Sequence, residues 1–143
     1  MSLLLEFPAL RTSKAFRITS PPAKEYNCIA WSAQDIDSWW WPDRMLTAYW
    51  PAEIPREETI LAFSSAFRII GYEECESAEL EEGIQKIALY ARDGTPTHAA
   101  RQLANGNWTS KLGKAEDIQH ELADLEGPTY GRVVKLFRRP RHL

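Results

Sequence analysis

Residues 85–113, QKIALYARDGTPTHAARQLANGNWTSKLG, are cut twice by strong turn signals, and those cuts leave little choice of local structure. In 85–92, Ile87, Leu89 and Ala91 alternate with Ala88 and Tyr90, the two-residue period of a half-buried strand. Asp93-Gly94-Thr95-Pro96 then reverses the chain, 97–104 returns as a second strand, and Asn105-Gly106 sends 107–113 back as a third. The expectation is a three-stranded antiparallel meander. With Asn105-Gly106 as a two-residue loop, Ala104 faces Asn107 and His98 faces Gly113, so that Thr109 and Lys111 share His98's face. Residues 115–127 read as a short helical or irregular piece, and 129–137, with β-branched Val133 and Val134, as a further strand.

Upstream of the meander the pattern is helical. Residues 11–27 carry Pro21-Pro22 and other turn formers, which makes them an arm or a short strand. A helix is expected to start near Cys28, with Asn27 as N-cap, an apolar stripe of Ile29, Ala33, Ile36 and Trp40, and Pro42 as its end. A loop rich in aromatics and proline follows in 43–55. A second helix fits 56–71: acidic residues open it, Ile60, Phe63, Phe67 and Ile70 make its stripe, and Gly71 suits its C-terminal cap. The fold class this implies is α+β, with N-terminal helices packed on a small antiparallel sheet. At 143 residues the chain is expected to be one domain, with 1–24 as an N-terminal arm and 138–143 as a basic tail.

Composition narrows the class of protein. With 44% hydrophobic residues and six Trp, the chain can build a core without staples, and two cysteines do not make a disulfide framework. Both thiols are expected to be free. The opening MSLLLEFPAL has no basic residues before its apolar run and no small-residue cleavage site, and the run is too short to span a bilayer, so a cytoplasmic protein without a membrane partner is expected. The segment 132–143 is basic through Arg132, Lys135, Arg138, Arg139 and Arg141, but the net charge of -3 argues against a nucleic-acid partner.

The chemistry centres on Cys28. A thiol in a first helical turn feels the positive end of the helix dipole and unpaired N–H groups, which favour the thiolate. It lies one residue off the Ile29 stripe, on the side of Trp31, Ser32 and Asp35, where it can look along the core edge into a cleft. The competing reading is a small apolar filler beneath an aromatic core. His98 is the candidate base, since it opens a strand at a turn. Asn107 would lie roughly 20 Å along the ladder, too far to orient it, which leaves Asp117 or His120 for that role. Cys28, Cys75, His98 and His120 lack the paired spacing of a zinc signature, so no metal or other cofactor is expected. Trp31, Trp41 and Trp50 are candidates for lining a substrate cleft, while Trp40 falls on the buried stripe.

The segments 26-YNCIAW-31, 86-KIALYA-91, 94-GTPTHAARQL-103, 106-GNWTSKLG-113, 117-DIQH-120 and 130-YG-131 resemble a family of uncharacterised small bacterial proteins associated with the papain-like superfamily, in its NlpC-like branch of cysteine peptidases and amidases. That resemblance implies a papain-like (NlpC-like) arrangement, Cys28 as attacking thiolate, His98 as general base, a third polar residue that fixes the imidazole tautomer, and a peptide or other amide as substrate. The sequence departs from the superfamily in having Tyr-Asn-Cys-Ile-Ala around the nucleophile. The alternative is a catalytically silent module on the same scaffold that binds or neutralises a protein partner.

Overall fold

The computed structural model describes residues 3–112 and 115–141. In chain order the elements are α1 (Leu3–Glu6), a 3-10 helix (Pro8–Arg11), β1 (Arg17–Ser20), α2 (Cys28–Ser32), α3 (Ile60–Ile69), β2 (Glu73–Cys75), β3 (Ile84–Arg92), β4 (Thr95–Gln102), β5 (Trp108–Lys111), β6 (Asp117–His120), a second 3-10 helix (Leu122–Leu125) and β7 (Arg132–Pro140). The strands form one seven-stranded sheet in the order β1-β6-β5-β4-β3-β7-β2, and every neighbouring pair is antiparallel. This overturns the expected α+β layout of N-terminal helices on a small sheet, and with it the papain-like (NlpC-like) arrangement. The sheet dominates, and α2 and α3 have only five and ten residues.

The helix expected to run from Cys28 to Pro42 stops after one turn for a local reason. Gln34 takes a left-handed φ of 65°, and the Asp35 N–H folds back to the Ala30 carbonyl at 2.8 Å. The Asp35 carboxylate then accepts from the Asp37 N–H and the Trp40 indole N–H, each at 2.8 Å. An aspartate that offers the backbone these alternatives competes with helix propagation. Ile36, on the expected stripe, is accordingly 55% exposed. α3 keeps closer to its pattern: Thr59 caps it by accepting from the Ala62 N–H at 3.1 Å, Gly71 follows it at φ +100°, and the Tyr72 N–H reaches the Phe67 carbonyl.

The largest gain over expectation is in strands. Residues 117–120 form β6 rather than helix, and β7 continues to Pro140, so the first part of the basic tail is strand. The register of the β4–β5 hairpin is shifted by one. The Leu103 N–H bonds to the Asn107 carbonyl at 2.7 Å, which makes Ala104, Asn105 and Gly106 a three-residue loop with Gly106 at φ +91°. Arg101 therefore pairs with Thr109 and Gln102 with Trp108. The shift exchanges the faces of β5, so Ser110 shares His98's side, and Thr109 and Lys111 lie on the other. The expected partner of His98, Gly113, lies outside the described residues.

Two cores sandwich the sheet. On one face Ile87, Leu89, Ala99 and Phe137 pack against Ile29, Ala30, Phe63 and Phe67 of α2 and α3. On the other, Ala88, Tyr90, Ala100, Trp108 and Ile118 pack against Phe7, Leu10 and Leu125. β3 is thus buried on both sides, which is why its apolar residues run nearly continuously instead of strictly alternating.

β7 meets β3 so closely at its start that a side chain has no room. A Cβ on Gly131, which has φ +78°, would lie 2.0 Å from the Ala91 carbonyl oxygen. Gly131→Ala should therefore destabilise the fold by ~2 kcal/mol or more and lower Tm by roughly 5–10 °C. Gly94→Ala, at φ +80° with nothing within 4 Å of the added Cβ, should cost only ~1 kcal/mol. Calorimetry of both variants checks the pair, and equal losses would refute the close-approach argument.

Candidate functional site

Asn27 builds the site. Its side-chain oxygen accepts the N–H groups of Ala30 and Trp40, both at 3.1 Å, and its Nδ2 donates to the Trp40 carbonyl at 2.8 Å. This one side chain caps α2 and brings the tryptophan segment back over the helix start. In the returned segment Trp40 is buried, while Trp39 and Trp41 face a cavity of about 410 Å³ lined also by Asn27, Cys28, Thr97, Tyr130 and the 43–48 loop. Asp43 shapes that loop by accepting from the N–H groups of Thr47 and Ala48 and the Thr47 hydroxyl, and Arg56 ties it down at 3.0 Å. With every one of these donors facing it, the Asp43 carboxyl is held down at about 2.

Cys28 is the first residue of α2 and lies at the edge of this cavity, 7% exposed. Burial pushes its thiol up to about 11, against the opposing pull of the backbone N–H groups of Ala99, Ile29 and Cys28 itself and of the Lys111 charge. β4 and β5 pair no further than Arg101 and Thr109, and Ala99, beyond that point, belongs to the same buried cluster as Cys28.

His98 is fully buried on the opposite side of β4, stacked on Tyr130 at 4.0 Å and 7° and edge-on to Tyr90. Its Nε2 lies 2.8 Å from Ser110 Oγ, Ser110 Oγ lies 2.7 Å from His120 Nε2, and His120 Nδ1 lies 2.7 Å from the Glu121 carbonyl. Burial holds both rings neutral: His98 sits well below its ordinary value, helped by the repulsion it would meet from a protonated His120, and His120 falls to about 4 despite the Glu121 carbonyl. The proton positions then follow from the acceptor at the end of the chain. A carbonyl only accepts, so neutral His120 carries its proton on Nδ1, and its bare Nε2 accepts from the Ser110 hydroxyl. The hydroxyl oxygen in turn accepts from His98 Nε2–H. His98 Nδ1 is left as a bare lone pair, buried and without a hydrogen-bond partner.

Among the candidates from sequence, His120 thus belongs with His98, through Ser110. Asp117 does not reach it: its carboxylate accepts from the Tyr26 hydroxyl at 2.7 Å on the α2 face, opposite Lys111. Cys28 and His98 are separated by the β4 backbone, with no hydrogen bond between them, and Tyr130 is the residue common to both, stacked on the imidazole and lining the cavity with the thiol. Trp41 lines the cavity, whereas Trp31 and Trp50 are held in packing. Trp31 donates to Thr109 Oγ1 at 3.0 Å and stacks on Tyr26, and Trp50 donates to the Pro55 carbonyl at 3.1 Å and packs on Phe63. A larger depression of about 560 Å³ along β2 and β7 contains Cys75 with Glu74, Glu76 and Lys135 but no histidine. Three arginines of the basic end are engaged internally, Arg138 with Glu73, Arg139 with the Ile70 carbonyl and Arg141 with Gln85. No group of three or more His, Cys, Asp or Glu placed to hold a metal ion occurs among the described residues, nor any helix long and apolar enough to cross a membrane. His142 lies outside them.

Residues 17–138 match the family described as Domain of unknown function (DUF7689). The chain belongs to that family. No curated protein and no solved structure matches it.

Sequence reasoning missed Ser110, Tyr130, Thr97 and Asn27's second role in this DUF7689 domain. Ser110 was hidden by the one-residue register shift, and Tyr130 and Thr97 lie in a turn and a bulge whose geometry has no simple periodic signal. Trp39 and Trp41 alternate about Trp40 with a period of two, which the helical reading of 28–42 passed over.

The buried imidazoles carry a pH signature. Their folded-state values lie below the unfolded value of about 6.5, so the unfolded chain takes up protons first, and stability present above that pH is lost as pH falls toward 4. For His120, with its value at about 4, the full loss is on the order of 3 kcal/mol. The urea midpoint should be clearly lower at pH 5 than at pH 7.5, and His120→Gln should flatten that dependence. A midpoint independent of pH would contradict the neutral chain.

Proposed function

We propose that this DUF7689 domain is a cysteine hydrolase of the amidase or peptidase type, with Cys28 as nucleophile and His98 as general base. The observation that carries the reading is the bare His98 Nδ1: a buried lone pair, its ring oriented through Ser110 and His120, one residue along β4 from Ala99, which shares a buried cluster with Cys28. An imidazole with one nitrogen held as donor and the other open is the form a general base needs. In the reaction Cys28 Sγ bonds to the carbonyl carbon of an amide or ester in the cavity as its proton passes to His98 Nδ1. The carbonyl oxygen gathers the negative charge beside the N–H groups at the start of α2. Collapse breaks the bond to the leaving group, which takes the proton from His98, and water activated by His98 then releases the acid from the thioester.

The resting site holds a neutral thiol and a neutral imidazole on two sides of β4, so this reading requires a rearrangement at the start of β4, with Tyr130 displaced, that lets the pair meet. The same proposal places the protein in the cytoplasm, where Cys28 and Cys75 stay reduced.

A second reading is a catalytically silent module that binds a peptide or protein partner in the cavity. The burial that pushes the Cys28 thiol up to about 11 favours it, because a structural thiol is inert. Iodoacetamide alkylation of the native protein, with Cys28→Ser as the blank, separates the two. The hydrolase reading expects Cys28 to alkylate at neutral pH and to slow about tenfold or more in His98→Ala. A Cys28 that reacts only on unfolding, or at the same rate without His98, would sink it in favour of the binding module.

A further inference from the structure

We propose that Lys111 is a positioning residue for the chemistry at Cys28: its buried ammonium, beside Tyr26 and Asp117 on the α2 face, supplies the positive charge against which a Cys28 thiolate forms. This deepens the hydrolase reading and rests on it for its role in turnover, though not for its effect on the thiol.

The placement comes from register. Arg101 pairs with Thr109, so two residues further on Ala99 and Lys111 stand opposite each other on one face, where the strands no longer pair. Tyr26, Cys28 and Ala99 share one buried cluster on that face, which sets the thiol and the Lys111 side chain on the same side of the parting strands. Lys111 is fully buried, its Nζ lies 5.4 Å from the Tyr26 ring centre, and it donates to the Ala115 carbonyl. In register across β5 and β6 it faces Asp117, whose carboxylate accepts the Tyr26 hydroxyl. A buried lysine is rare unless paired, and Met or Leu would fill this volume without the cost of desolvating a charge. The charged and titratable groups around the two centres are Tyr130 and Lys111 at the thiol, and Asp117, Cys28, Glu116 and Glu25 at the ammonium. Burial lowers Lys111, and Asp117 and then Cys28 oppose that shift.

Charge signs make the role testable apart from packing. Removing the cation should disfavour the thiolate, and removing the carboxylate that offsets the cation should favour it. The rate of Cys28 alkylation by iodoacetamide, followed on its own peptide by mass and measured against pH, should fall about tenfold near pH 8 in Lys111→Met. It should be retained in Lys111→Arg and rise in Asp117→Asn. Loosened packing would instead expose the thiol and speed both Lys111→Met and Asp117→Asn, and that result overturns the proposal, as does an unchanged Lys111→Met rate. If Lys111→Met does not fold, Asp117→Asn decides, since a rate no faster than wild type overturns the idea. A His98→Ala profile identical to wild type would remove the hydrolase reading while leaving a Lys111→Met shift standing.

Discussion

The Asn27 carboxamide is consumed wholly inside the protein, and the cavity depends on it. Five-residue α2 is far below the length at which a helix holds itself together in water. What fixes it is packing on β4 together with a cap that is also a clamp, because Asn27 Oδ1 serves both the Ala30 and Trp40 N–H groups. The tryptophan segment is held from its other side by the Tyr49 N–H on the Trp39 carbonyl and the Trp41 N–H on the Tyr49 carbonyl. Cys28 and the aromatic wall are therefore positioned by the same few polar contacts. A substitution that keeps the cap but loses the Trp40 clamp, such as Asn27→Ser, would leave α2 formed and the wall unanchored.

β5 carries a second constraint. Its four residues separate two buried polar systems: Ser110 joins His98 and His120 on one face, and Lys111 stands with Asp117 and Tyr26 on the other. Buried polar groups are costly unless partnered, and here a slip of one residue would strand both systems at once. The three-residue loop with Gly106 in the left-handed region is thus more than a connection. It sets which of Ser110 and Lys111 meets the imidazole. Both strand partners, β4 and β6, must also be in register for either system to close.

That is where reading from sequence stops. The Asn27 cap, the Gly71 end of α3, the β3 strand and the turn at Asn105-Gly106 were all legible, because each rests on a local preference of one or two residues. The length of α2 was not, because Ile29, Ala33, Ile36 and Trp40 happen to recur at helical spacing while Asp35 offers the backbone better partners. β6 was missed because Asp117 and His120 are buried polar residues whose partners, Tyr26 before α2 and Ser110 on β5, are set by the tertiary fold, so 117–120 lacks the apolar alternation by which a strand is recognised. Cys28 and His98 were found by residue type and position, whereas the serine that links His98 to His120 depends on a register that two turn geometries compete to set.

The remaining tension is between burial and reactivity. The core that orders the imidazole chain also removes the water that would stabilise an imidazolium, and the same burial keeps the Cys28 thiol protonated. Proton transfer from Cys28 to His98 in the resting site would create two charges in an apolar setting, which is unfavourable unless a third charge compensates or the site opens. Lys111 stands on the thiol's side of β4, and Tyr130 covers the imidazole on the other. The cation can offset the thiolate without any motion, but nothing in the resting packing offsets the imidazolium, since the Ser110 hydroxyl and His120 are neutral. On the proposed hydrolase reading the barrier to activation therefore lies at His98, and displacement of Tyr130 by a ligand in the cavity is the change that would admit a charge there.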